Sequence, residues 1–118
     1  MSFLEYALSK ARQITYVRGQ SRHYSVLLDK KNRIISEGQN SYQKTHTTMH
    51  KASRKVGLEK DYLHCEVAAL IKDKDRKGSK LIVVRVDSKG QAVNSEPCPV
   101  CKEVLRSFPN VKSIEFSV

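Results

Sequence analysis

Long apolar runs are missing from this sequence: none approaches the roughly 20 residues that a membrane-spanning helix needs. The first residues also lack the unbroken apolar stretch of a signal peptide. A reducing cytoplasm and no membrane partner are therefore the expectation. Cysteine is scarce, three in 118 residues, which argues against the even, dense set of a disulfide framework. Internal repeats and low-complexity tracts are absent, and no block of like charge marks a nucleic-acid tail. Acidic residues are outnumbered, 12 Asp plus Glu against 22 Lys plus Arg, for a formal charge of +10. That balance suits phosphorylated small molecules or polyanions such as single-stranded nucleic acid, although the basic residues are spread along the whole chain. The length is that of one domain, residues 1–118. An N-terminal helical part (1–18) precedes a remainder (22–118) that carries the sheet and the candidate site.

Hydrophobic spacing gives the elements. Ser2 and Glu5 fit a capping box, and Leu4, Ala7, Leu8, Ala11 and Ile14 recur at helical intervals over residues 2–17. His23–Leu28 and Arg33–Ser36 read as strands joined by the polar turn 29–32. A long polar segment follows from Gly38 to Asp61, with a helical stretch around Thr48–Val56. Residues 63–73 predict a helix too apolar for the surface, and Leu81–Val86 predict a strand buried on both faces. A helix over Pro99–Phe108 is ended by Pro109-Asn110, and Ser113–Val118 alternates as a terminal strand. A hairpin followed by β-α-β-α units implies a mixed sheet with helices on both faces.

Two short motifs carry chemistry. His64-Cys65-Glu66 opens one predicted helix, and Pro97-Cys98-Pro99-Val100-Cys101 opens the next. The residues between them (67–97) suffice for a helix, a strand and two loops, which brings both motifs to the carboxyl ends of neighbouring strands. Two thiolates and one imidazole give zinc three protein ligands and leave a fourth position for water. Zinc so held makes hydroxide available near neutral pH. Glu66 lies two residues from His64, near the metal without binding it. It is placed to take a proton from water and pass it to a ring nitrogen and a leaving amine. Pro99 suits a first helical position, where its missing N–H costs nothing.

His-x-Glu followed by Pro-Cys-x-x-Cys resembles the signature of the cytidine and deoxycytidylate-type zinc-dependent deaminases. The resemblance spans roughly residues 22–117. It implies an α/β fold, a cytidine deaminase-like three-layer α/β/α arrangement with a mixed sheet of about four to five strands, shortened at the C-terminus. The first two strands would be antiparallel and the later ones parallel. It also implies Zn2+ as cofactor, bound by His64, Cys98 and Cys101, with Glu66 as the proton shuttle. Glu37-Gly38-Gln39-Asn40 looks like the family's Gly-x-Asn, in which the asparagine bonds sugar or base; a plain turn-forming Asn is the structural alternative. Cys65 stands where the family has a small residue. Its main-chain N–H would hold a base carbonyl while its side chain packs. Lys44, Thr45 and His46 follow Asn40 and would line the substrate mouth. His46 and His50 stand four apart but lack the His-Glu-x-x-His pattern of a zincin.

The implied reaction is hydrolytic conversion of a cytosine base to uracil, on a nucleotide or nucleoside, with release of ammonia. Tyr42 stands where free cytidine deaminases place a glutamate, which weakens the free-nucleoside reading. Lys44, Lys51, Arg54, Lys55 and Lys60 would meet a phosphate. One alternative is a polynucleotide deaminase acting on cytidine or adenosine in single-stranded DNA, RNA or tRNA. A second is a non-catalytic, zinc-stabilised binding module. The terminal strand would form a sheet edge, and family members often oligomerise, so a homo-oligomer is expected.

Overall fold

Alternation along the central strands decides the layers. The computed structural model describes residues 2–42, 46–57 and 63–118. Strands β1 (Arg22–Leu28), β2 (Ile34–Gln39) and β3 (Lys80–Val86) lie between helix α1 (Phe3–Gln13) and three further helices, α2 (Thr47–Lys55), α3 (Cys65–Ile71) and α4 (Pro99–Leu105). Val26 and Leu28 of β1 and Ile82, Val84 and Val86 of β3 point to one face, where Ala7 and Ala11 of α1 cover them. Leu27, Leu81 and Val83 point to the other. There they join Met49 and Ala52 of α2, Val67 and Leu70 of α3, and Val100 and Val104 of α4. Successive side chains of a strand point to opposite faces, so a strand as apolar as β3 builds two cores at once.

β1 pairs antiparallel with both β2 and β3. β5 (Ser113–Phe116) runs parallel to β3. A short β4 (Ala92–Val93) lies antiparallel to the last residues of β3 and completes a mixed five-stranded sheet. Two residues are too few to show an alternating pattern, which is why β4 escaped the sequence reading. Boundaries moved elsewhere as well. α1 stops at Gln13 rather than residue 17: Ile14 is already extended, and Tyr16 and Val17 are exposed, so no buried stripe continues. β2 extends to Gln39, three residues beyond the expected Ser36, and α4 ends at Leu105 rather than Phe108.

Polar side chains on the inner faces fix how the helices sit. Ser36 and Gly38 of β2, and Asn40 just beyond its end, alternate toward α3 and all meet it. Ser36 Oγ donates to Ala69 O at 2.8 Å, and Ser25 Oγ of β1 donates to Cys65 O at 2.6 Å. Between them Gly38 lets the helix come close: a Cβ there would stand 2.5 Å from Cys65 O and 2.8 Å from Ala69 N. On the opposite face, the hydroxyls of Tyr6 and Tyr24 both donate to Glu37 Oε1, at 2.8 and 2.5 Å, tying α1 to the sheet. Among the described residues no helix is long and apolar enough to cross a membrane.

Candidate active site

His64 is the N-cap of α3 and Cys98 the N-cap of α4, with Pro99 opening the latter helix. Both helices begin at one end of the sheet, beyond the carboxyl ends of β2 and β3. These two strands are not neighbours, as the motif spacing had suggested; β1 runs antiparallel between them. The start of β1 therefore contributes to the same end, and His23 stands there opposite Arg85 of β3.

The ligand atoms of His64, Cys98 and Cys101 all lie within 4.8 Å of one another. His64 Nδ1 is 3.2 Å from Cys101 Sγ and 3.6 Å from Cys98 Sγ. In a tetrahedral zinc site with ordinary Zn–S and Zn–N lengths, a nitrogen and a sulfur ligand stand about 3.6 Å apart. The donor set and its spacing thus fit zinc. The two thiols influence each other in opposite senses. A hydrogen bond with Cys101 pulls the Cys98 thiol down, helped by His64, and the same contact, with burial, pushes the Cys101 thiol up.

The segment that delivers Cys98 is fastened by a pair of buried serines. Ser95 Oγ donates to Val83 O at 2.8 Å, and Ser95 N donates to Ser117 O at 2.9 Å. Ser117 Oγ donates to Val93 O at 2.7 Å and accepts from Arg85 N at 3.1 Å. Nothing in the spacing of these serines advertised that role.

Beside the cluster is a cavity of about 240 Å³ lined by His23, Asn40, His64, Glu66, Arg85 and Cys98, with residues 94–96 at its rim. Glu66, in the first turn of α3, is 4% exposed and accepts from Cys65 Sγ at 3.0 Å. Among the described residues no cation stands within ion-pair distance of it. Burying a carboxylate with so little compensation costs stability, which is what a working site would tolerate.

The remaining expected residues fall in different places. Asn40 lines the cavity, but its side chain is bonded within the protein: Oδ1 accepts from Cys65 N at 2.8 Å, and Nδ2 faces His23 Nδ1 at 3.1 Å. The Cys65 N–H assigned to a base carbonyl is thus taken by Asn40, and the buried Cys65 thiol turns to Glu66 and away from the metal cluster. His46 is exposed at the N-cap of α2, where its Nδ1 accepts from Thr48 N at 3.1 Å, so it does not share a helix face with His50. Lys44, Thr45, Lys60 and Tyr62 lie outside the described residues. His23 and Arg85 were missed. The available signal was polarity at the ends of two otherwise core-facing stripes, His23-Ser25-Leu27 and Leu81-Val83-Arg85.

Residues 1–117 match the family model described as the cytidine and deoxycytidylate deaminase zinc-binding region. The chain belongs to that deaminase family. Its fold is similar to that of a mutant cytidine deaminase from Mycobacterium tuberculosis, with a TM-score of 0.55 at 18% identity, over 95% of this chain and 80% of that one. No curated protein matches the chain. Within this deaminase family the region is zinc-binding, and His64, Cys98 and Cys101 form the cluster placed to hold the ion.

Proposed function

We propose that this deaminase-family domain is a zinc-dependent hydrolase that converts a cytosine base, carried as nucleoside or nucleotide, to uracil and ammonia. The observation that carries this reading is the buried Glu66 carboxylate in the same cavity as the His64, Cys98 and Cys101 cluster. These three residues are the proposed zinc ligands, and zinc, when bound, supplies a water nucleophile deprotonated near neutral pH. Glu66 would receive the proton lost by that water and deliver it to ring atom N3; it would then take the remaining proton from the oxygen added at C4 and pass it to the departing amine, leaving the uracil carbonyl. His23, Asn40 and Arg85 frame the space beside Glu66. Three ligands rather than four among the described residues speak for catalysis over a purely structural site.

A polynucleotide substrate draws on a separate observation. Lys30, Lys31, Arg33, Arg76, Lys77 and Lys112 line a cavity of about 420 Å³ formed by the β1–β2, α3–β3 and α4–β5 turns. That cavity lies at the opposite end of the sheet, about 20 Å away by the length of β1, and the mouth itself has Arg85 and Glu96 together.

Conversion of dCMP, CMP, deoxycytidine, cytidine and cytosine, with single-stranded DNA and RNA oligomers alongside, tests the reading. Zinc-loaded protein should release ammonia from a small cytosine compound, and Glu66→Ala should release none. Turnover confined to oligomers and abolished by salt would favour the polynucleotide. Activity unchanged in Glu66→Ala would remove the enzymatic reading.

A further inference from the structure

Hydrogen bonds at the end of β1 dictate which atom of the cavity wall faces a substrate. A backbone N–H can only donate, so the Asn40 atom 2.8 Å from Cys65 N is the amide oxygen. The amide NH2 therefore faces His23 Nδ1 at 3.1 Å and the Tyr42 hydroxyl oxygen at 3.3 Å. An NH2 group can only donate as well. Nδ1 must then accept, and a neutral imidazole carries its proton on Nε2. Burial keeps the His23 ring from charging, outweighing the pull of Glu66, and Arg85 and His64 act in the same direction as burial. Nε2 has no hydrogen-bond partner among the described residues, while the ring lines the cavity with His64 and Glu66. Asn40, by contrast, has both amide hydrogens engaged by the protein.

His23 and Asn40 also line a second, adjoining cavity of about 220 Å³, whose other walls include Ser21, Gln39 and Ser41. Hydroxyls and amides suit a neutral, oxygen-rich ligand. The one arginine there, Arg22, is buried and directs its guanidinium to the carbonyls of Arg12, Ile14 and Asp87. His23 thus stands between a compartment that holds Glu66 and the metal cluster and a compartment fit for a sugar.

We propose that His23, through Nε2–H, is the side chain that donates a hydrogen bond to a sugar oxygen of the nucleoside, and that Asn40 is the positioning residue that fixes its tautomer. The assignment rests on the deaminase reading of the cavity, but the tautomer can be measured without any turnover. In 15N NMR of zinc-loaded protein, with the His23 signals identified by their loss in His23→Ala, Nδ1 should be pyridine-like and Nε2 pyrrole-like. In Asn40→Asp an acceptor oxygen faces Nδ1, so Nδ1 should become protonated and pyrrole-like. A wild-type ring protonated at Nδ1, or an Asn40→Asp ring unchanged, overturns the positioning role.

For the sugar contact, His23→Ala should raise KM for cytidine or deoxycytidine about 3- to 10-fold, with kcat changed less than KM. KM for free cytosine should move by much less, and His23→Gln, whose amide nitrogen reaches the Nε2 position, should recover most of the loss. An equal effect on nucleoside and free base overturns the sugar contact, as does a fall in kcat at constant KM. If wild-type protein turns over no cytosine compound, the deaminase reading falls and the sugar contact with it, whereas the tautomer is decided by NMR alone.

Discussion

Replacing Gly38 by alanine is the most informative single change outside the reacting groups, because β2 and α3 touch there through backbone. The substitution is conformationally free: Gly38 is not among the glycines with positive φ. Through the unfolded chain alone, Gly→Ala would stabilise by about 0.4–1 kcal/mol. The new Cβ, however, would stand 2.5 Å from Cys65 O, 2.8 Å from Ala68 Cβ and 2.8 Å from Ala69 N. Ordinary contact begins near 3.4 Å, so the start of α3 must move outward by about 0.9 Å. Backbone atoms cannot rotate aside, and overpacking of this kind costs roughly 1–3 kcal/mol. The balance is a net loss of about 1–2 kcal/mol, or a fall in Tm of roughly 5–10 °C for a domain of this size. The same shift lengthens the 2.8 Å bond from Cys65 N to Asn40 and displaces His64, the adjacent N-cap. Zinc affinity should therefore fall on the order of tenfold or more, as it does when support of a ligand is disturbed. Circular dichroism melts and chelator competition measure the two effects. A Gly38→Ala protein within about 2 °C of wild type, with unaltered zinc affinity, would refute the close packing of β2 on α3.

Other perturbations have definite expected outcomes. Cys101→Ser should abolish tight zinc binding and make the melting temperature insensitive to added zinc, whereas wild-type protein should melt higher with zinc, since binding to the folded state stabilises it. Ser117→Ala removes the part-buried bonds to Val93 O and Arg85 N, at about 0.5–1.5 kcal/mol each. Denaturant titration should show that loss, and chelator competition should show weaker zinc binding because the Cys98 segment is loosened. Glu37→Gln keeps an acceptor for Tyr6 and Tyr24 but removes its charge. Charge-assisted bonds exceed neutral ones by roughly 1 kcal/mol, so stability should fall with little change in zinc affinity.

Much of the chemistry was legible because its residues are close in sequence. His64 and Glu66 share one helix start, and Cys98 and Cys101 share another, so the motif spacing already placed them. The two-faced burial of β3 was readable from its unbroken apolar run. What escaped depends on contacts between residues distant in sequence. Ser95 and Ser117 meet only because β5 lies beside β3. His23 becomes a wall of the cavity only because β1 runs antiparallel between β2 and β3, a register that composition does not announce. Asn40 was expected to bond sugar or base; it lines the cavity, and its bonds to Cys65 and His23 follow from the β2–α3 approach at Gly38, which the sequence does not display.

The central claim is that Glu66 moves protons beside a zinc ion held by His64, Cys98 and Cys101. The direct test is ammonia release by wild-type protein and by Glu66→Gln, both carrying one zinc per chain as measured by metal analysis. The account predicts equal zinc content, with turnover of the preferred cytosine compound lost by on the order of 10²–10⁴-fold in the variant. Comparable turnover by the two proteins at equal zinc content would contradict it.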